Sequence, residues 1–260
     1  MYIERTNSTN TLMREMVAKG NPPEFIYTGY QTAGRGQAGN GWESEEGKNL
    51  LCSILVESQK TKDKRPFYLN VAVSVAVHKV IRSVFCQRSG LLSLSEAVSI
   101  KWPNDIYWQD KKIAGILVEN ALIGNKVQYS VAGIGLNVNQ TEWLSNAPNP
   151  VSMRQISGEE YDIHGLMRAL MDEIHAVLTM ESEDVWAYYR AHLYRREGYW
   201  RFVEREVSIA PTMNVQRDDV QCTKAFLAKI EDILPSGEMI LRTQEGQQRT
   251  FHFKEIRYVL

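Results

Sequence analysis

The feature that most constrains this chain is a close succession of strand-like segments between Val98 and Val138, punctuated by hairpin chemistry. Residues 98–102 run into the turn Pro103-Asn104-Asp105, and residues 106–108 run into the polar turn Gln109-Asp110-Lys111-Lys112. Residues 113–121 and 127–138 follow, separated by Gly124-Asn125, which suits a tight hairpin. Connections this short join strands antiparallel, because a parallel pair needs a crossover of a dozen residues or more. The pattern predicts an antiparallel meander, not a series of βαβ units.

Helices and further strands flank that meander. Ser8-Thr9-Asn10-Thr11 reads as a helix N-terminus, with hydroxyl and amide side chains capping free N–H groups. Leu12, Met13, Met16 and Val17 give the helix an apolar face, and Gly20 with Pro22-Pro23 ends it. Residues 25–30 and 50–56 read as strands. From Pro66, the recurrence of Leu69, Val73, Val77, Val80 and Val84 predicts a long core helix. Residues 141–161 read as an irregular connection. Two more helices are marked by Leu166, Leu170, Ile174 and Val177, and by Val185, Tyr189 and Leu193. Beyond Gly198 the pattern changes to short strands at 206–210, 226–234, 239–242 and 249–253, with Pro235-Ser236-Gly237 and Glu245-Gly246 as turns. The expected organisation is an α+β domain over 1–200 and a small β-barrel over 201–260.

Thirty basic against 31 acidic residues leave a formal charge of −1, which argues against a general affinity for nucleic acid or anionic membrane. Cys52, Cys86 and Cys222 are odd in number, far apart and in no CxxC arrangement, which disfavours a disulfide framework or zinc site and suits a reducing, cytoplasmic setting. The five histidines show no HxxxH pairing. The N-terminus lacks an apolar signal core, and no apolar run reads as long enough to span a bilayer.

Three stretches carry the chemistry. Gly34-Arg35-Gly36-Gln37-Ala38-Gly39 matches GxGxxG literally, but it continues into Asn40-Gly41-Trp42 and then a strand, with no helix opening inside it, so a dinucleotide turn is disfavoured. Such a loop is mobile or uses positive φ, and can lay its N–H groups along a ligand. Arg35 supplies a cation, and Trp42 a flat surface for a purine or simply a core filler. In the second stretch, Lys101 and Pro103 are expected to face one way and Trp102 the other, with Asn104 and Asp105 at the turn. Lys112 enters an apolar strand either as a cation at a pocket mouth or as an exposed hairpin lysine. Gly115 would let a ligand approach the backbone. In the third, the alternation of Gly133 and Gly135 strips one strand face of side chains, forming a ligand floor or a tight packing surface under a helix.

Taken in order, Ser8-Thr9-Asn10, Gln31, Gly34-Arg35-Gly36, Trp42, Lys101-Trp102-Pro103-Asn104-Asp105, Lys112-Ile113-Ala114-Gly115 and Gly135-Leu136-Asn137 resemble the biotin–protein ligase family. The resemblance implies an α+β fold with a mixed, largely antiparallel sheet, packed helices and a C-terminal SH3-like barrel. It implies ATP-dependent formation of biotinyl-5′-AMP, then transfer of biotin to a lysine of a biotin carboxyl carrier protein or domain. Ser8, Thr9, Asn10 and Gln31 would line the ureido pocket. Gly34, Arg35, Gly36, Gln37, Gly115, Gly133 and Gly135 would surround the rest of the biotin. Lys112 and Arg35 would be the catalytic cations. Asn40, Trp42, Lys101, Asn104, Asp105, Lys112 and Asn137 would serve ATP, and Asp105 its Mg²⁺. Gln37 and Asn40 stand where many relatives carry arginine, so the loop holds fewer cations and is expected to leak activated biotin more readily. Because the match begins at residue 8, no DNA-binding domain is expected, and a homodimer is plausible within the family. Lipoate–protein ligation is the nearest competing activity. A non-catalytic biotin-binding module is a competitor of another class.

Overall fold

The computed structural model describes residues 1–87, 92–124, 126–145, 148–205 and 222–259. By its contacts the chain divides into two units, Met1–Tyr189 and Arg190–Leu260.

The first unit is built on a seven-stranded sheet in the order β1-β2-β3-β7-β6-β5-β4. Its strands are β1 (Tyr2–Thr6), β2 (Phe25–Gln31), β3 (Leu50–Glu57), β4 (Val98–Lys101), β5 (Asp105–Trp108), β6 (Lys111–Ile123) and β7 (Lys126–Leu136). Only β1 and β2 pair in parallel; every other pairing is antiparallel. The meander therefore forms as its short turns dictate, with β3 inserted beside β7. Strand β1 is not marked in the sequence, since Tyr2, Glu4 and Arg5 are exposed and leave almost no apolar alternation.

Helix α1 (Thr9–Ala18) lies against β2, β3 and β7 on one face, with Met13 packed on Ile26 and Val131. On the other face α2 (Tyr68–Cys86) packs across β4 to β7, and α5 (Ile163–Thr179) packs on α2 and β3. Leu166, Leu170, Ile174 and Val177 are all buried on α5, as their spacing predicts. Contrary to the expectation that no apolar run is long enough, α2 has the length and composition of a membrane span; 67% of its most apolar window is buried inside the fold. A short helix α3 (Leu92–Glu96) precedes β4. The connection expected to be irregular contains α4 (Met153–Ser157), closed at its start by a capping box between Ser152 and Gln155. Helix α6 (Ser182–Ala191) buries Val185 and Tyr189, but ends before Leu193.

The second unit is a five-stranded antiparallel sheet, β11-β10-β9-β8-β12, formed by β8 (Trp200–Arg205), β9 (Cys222–Ile233), β10 (Met239–Thr243), β11 (Gln248–Phe251) and β12 (Ile256–Tyr258). Phe202 pairs with Phe226 across β8–β9 and with Tyr258 across β8–β12, so three aromatic rings line up on one face. The unit fits a small SH3-like domain. The strand expected at 206–210, and Asn125 of the Gly124-Asn125 turn, lie outside the described residues.

Candidate functional site

On the face that carries α1, the sheet register lines up the residues of a candidate cleft. Directly paired residues share a face, so Asp105, Gly115 and Gly135 form one row across β5, β6 and β7. Leu117, Gly133 and Ser53 form the next row, two residues further along β6. Glu119 stands two residues beyond that. The glycines are there because side chains from elsewhere already fill the space above them. A Cβ on Gly135 would lie 2.4 Å from the Trp42 ring, and one on Gly133 would lie 2.3 Å from Asn10 Oδ1.

Lys112 reaches this face through a bulge. In a regular strand, residues 112 and 115 would point to opposite faces. The register shifts between Ile106 and Tyr107, so Tyr107 pairs with Lys112 while Asp105 pairs with Gly115. The extra residue turns Lys112 onto the glycine side. Its ammonium lies 2.7 Å from Asp105 Oδ1 and 5.5 Å from the centre of the Trp42 ring. It also lies 3.0 Å from the position of a Cβ on Gly115. The Lys112 backbone is pinned by Asn149 and Val151, which bond its N–H and C=O at 2.8 and 3.0 Å.

Four other residues expected at the nucleotide end sit around this pair. Trp42 stands over Gly115 and Gly135, and its indole N–H is buried with no partner among the described residues. Asn137 is 2% exposed and donates to the carbonyls of Lys112 and Val151 at 3.3 and 3.2 Å, leaving its Oδ1 buried with no partner among the described residues. Asn104 spends its amide on the Ile116 carbonyl, so here it braces the turn. Lys101 pairs with Asp105 across the hairpin, and its ammonium donates to Tyr107 Oη at 2.7 Å. The turn is Trp102-Pro103-Asn104, with a cis Trp102–Pro103 bond and Trp102 buried.

The other end of the cleft is a buried polar network at the start of α1. The Ser8 side chain makes no cap, contrary to expectation. The Thr9 N–H instead donates to Gln31 Oε1 at 2.8 Å, and the Ser8 N–H to Asn7 Oδ1 at 2.6 Å. Thr9 and Asn10 turn inward, where Ser53 Oγ lies 2.7 Å from Thr9 Oγ1 and 2.6 Å from Asn10 Oδ1. Asn10 Nδ2 donates to the Leu117 carbonyl at 3.2 Å and to Glu119 Oε2 at 3.0 Å.

The glycine loop closes over this end. Gly34 receives the Trp42 N–H at 2.9 Å, Arg35 bridges to Gly41, and a 3-10 turn spans Gln37–Gly39 with Asn40 after it. A Cβ on Gly34 would meet the Trp42 carbonyl at 2.5 Å, so close backbone approach demands glycine there; Gly39 has φ +83°. Gly36 donates its N–H to the Asn40 carbonyl at 2.7 Å. Arg35 reaches Glu119 Oε1 at 2.9 Å, so its guanidinium sits near Asn10, at the end of the cleft away from Lys112.

Two cleft residues escaped the sequence reading. Ser53 is a fully buried hydroxyl between Leu51 and Leu55 on β3. Glu119 shares the period-two face of Gly115 and Leu117, and that alternation was the available signal. Cys52 points to the opposite face among core residues, and burial pushes its thiol well above the ordinary range, which makes it a poor nucleophile. Among the described residues no three His, Cys, Asp or Glu side chains gather as a metal cluster.

Fold and site define a class first: a mixed, largely antiparallel sheet domain whose candidate site has a glycine floor, a lysine–carboxylate pair at one end and a buried amide–hydroxyl network at the other. Residues 2–137, just over half of the 260, match the biotin/lipoate A/B protein ligase family, and the chain belongs to that family. Over 258 residues it is 28% identical to the bifunctional ligase/repressor BirA of Bacillus spizizenii, covering 96% of this chain and 71% of that protein. It is also 28% identical, over 177 residues, to the biotin–[acetyl-CoA-carboxylase] ligase of Mycobacterium tuberculosis, covering 67% of this chain and 62% of the relative. The fold is shared with the biotin protein ligase from Aquifex aeolicus solved in complex with biotin and ATP. The two superpose with a TM-score of 0.73 at 20% identity, covering 100% of this chain and 98% of that one.

Proposed function

We infer that the protein is an ATP-dependent biotin–protein ligase. The observation that carries this reading is the placement of the Lys112–Asp105 pair and the Thr9–Asn10–Ser53 network at opposite ends of one glycine floor. The polar network offers the paired donors and acceptors that a ureido ring needs. The glycine floor has no side chains of its own, and an apolar ring and tail would lie along it between Asn10 and the Trp42 ring. The lysine end receives the carboxylate.

There a carboxylate oxygen of biotin attacks the α-phosphorus of ATP. A P–O bond forms, the bond to the leaving pyrophosphate breaks, and biotinyl-5′-AMP results. The ε-amine of a carrier lysine then attacks the acyl carbon. AMP departs with the bonding electrons, and the amine proton passes to solvent. No enzyme nucleophile enters either step, so positioning and charge stabilisation supply the rate. Lys112 draws together two anionic reactants and offsets charge building on the phosphoryl oxygens, while Asp105 holds its ammonium over the floor. The Trp42 N–H and Asn137 Oδ1, buried without a partner among the described residues, are the groups that would meet the nucleotide. A lone carboxylate such as Asp105 suits Mg²⁺ held mainly by phosphate oxygens, and that ion would neutralise the triphosphate. The acceptor is a biotin carboxyl carrier domain, as the carboxylase-directed relative suggests.

ATP–pyrophosphate exchange with biotin or lipoate as the acid tests the reading. Exchange with biotin alone is the expected result. Exchange with lipoate alone would make this a lipoate ligase, and exchange with neither would reduce it to a binding module.

A further inference from the structure

We propose that Glu119 is a positioning residue for the biotin site: its carboxylate fixes the orientation of the Asn10 amide and anchors the glycine loop through Arg35. The proposal rests on the biotin reading above. Glu119 has no counterpart among the residues expected to touch substrate, yet donors from two other segments converge on it. Arg35 reaches Oε1 at 2.9 Å and Oε2 at 3.5 Å, Arg14 on α1 reaches Oε1 at 3.3 Å, and Asn10 Nδ2 reaches Oε2 at 3.0 Å. One carboxylate thus ties the floor strand, the first turn of α1 and the loop together.

The exposed ion pairs are weak by themselves. Arg14 and Arg35 are 55% and 43% exposed, where such pairs add little to stability. The consequence lies in Asn10, which is 2% exposed. An amide can sit either way round in a pocket, and only its neighbours decide. The Leu117 carbonyl and the Glu119 carboxylate accept and cannot donate, so they hold Nδ2. Ser53 Oγ, 2.6 Å from Oδ1, then donates to it. Removing the charge from Glu119 weakens the preference for this orientation and releases Arg35 in the same step. Both losses fall on the biotin end of the cleft and leave the Lys112–Asp105 end in place.

Steady-state kinetics and release of biotinyl-5′-AMP, measured on the full chain, test this. Glu119→Gln is expected to raise the KM for biotin about tenfold or more, with the KM for ATP little changed, and to speed loss of the adenylate in a biotin-free chase. Glu119→Asp keeps the charge and is expected to recover part of the loss, which also guards against a folding defect in the first variant. In a double-mutant cycle, adding Arg35→Gln to Glu119→Gln should cost less than its effect in the parent, because the contact is already gone. Unchanged biotin KM and adenylate release in a folded Glu119→Gln protein would overturn the proposal while the parent still exchanges pyrophosphate with biotin. Strict additivity with Arg35→Gln would overturn the anchoring of the loop. A parent that fails to exchange with biotin overturns the functional reading, and the proposal with it.

Discussion

In the proposed reaction, Lys112 is the residue on which the chemistry turns. Its side chain is 31% exposed and, among the described residues, its ammonium makes one ion pair, so truncation should cost little stability while removing the cation nearest the reacting groups of that reaction. Lys112→Ala is expected to lower the pyrophosphate exchange rate by about 100-fold or more, with a melting temperature close to the parent's; near-normal exchange would reject the role. Gly133 makes the complementary prediction. A methyl there would sit 2.3 Å from an Asn10 amide held on both sides, so Asn10 must rotate and break its contacts. Gly133→Ala should destabilise the fold by about 1–3 kcal/mol and raise the biotin KM, both readable from denaturant melts and titrations. The glycines and lysines were legible in the sequence because their types are unusual within an apolar strand. That Lys112 and Gly115 share a face was not, since a spacing of three puts them on opposite faces and only the bulge reverses this. Ser53 was invisible for another reason: it is an ordinary residue whose meaning comes from partners 43 and 44 positions away, while Glu119 was marked only by its alternation with Gly115 and Leu117.

At the scale of elements, the long helices and central strands followed their periodicity, and the failures fall where structure is held by polar contacts. Strand β1 rests on backbone pairing with β2, and α4 on a capping box; neither leaves an apolar pattern. The approach to α2 is such a polar junction. Asp63, 4% exposed at its side chain, accepts from the Arg65 backbone and guanidinium and from the Trp186 indole N–H of α6, joining the two helices. Burial alone would raise its pKa. The hydrogen bonds from Arg65 and Trp186, with the Arg65 charge, outweigh it and hold the carboxyl below its ordinary value. A carboxyl depressed in the folded state contributes stability that is full above its unfolded pKa, about 3.9, and is lost as pH falls through the folded value. Asp63→Asn should therefore cost about 1.5–3 kcal/mol at neutral pH, and the gap between variant and parent should close below about pH 4. Urea melts across that range decide it: a gap independent of pH would mean that shape, not charge, holds the junction.

Across the whole molecule, every residue assigned here to biotin, ATP or catalysis lies between Ser8 and Asn137, within the unit Met1–Tyr189. The change to short strands beyond Gly198 was legible as a second module, although β8 and β12 were not: β8 buries Phe202 and Val203 side by side instead of alternating, and β12 has only three residues. Separate cores imply separable defects. Leu241 on β10 is fully buried between Ile230 and Arg249 on the neighbouring strands. Leu241→Ala should weaken the five-stranded sheet by about 2–5 kcal/mol through the cavity it leaves. None of that sheet's side chains belongs to the proposed site of the first half-reaction, so pyrophosphate exchange with biotin should stay within about twofold of the parent. Exchange that falls in step with the melting of the small sheet would show that adenylation depends on the second unit, and that the cleft residues alone do not make the catalyst.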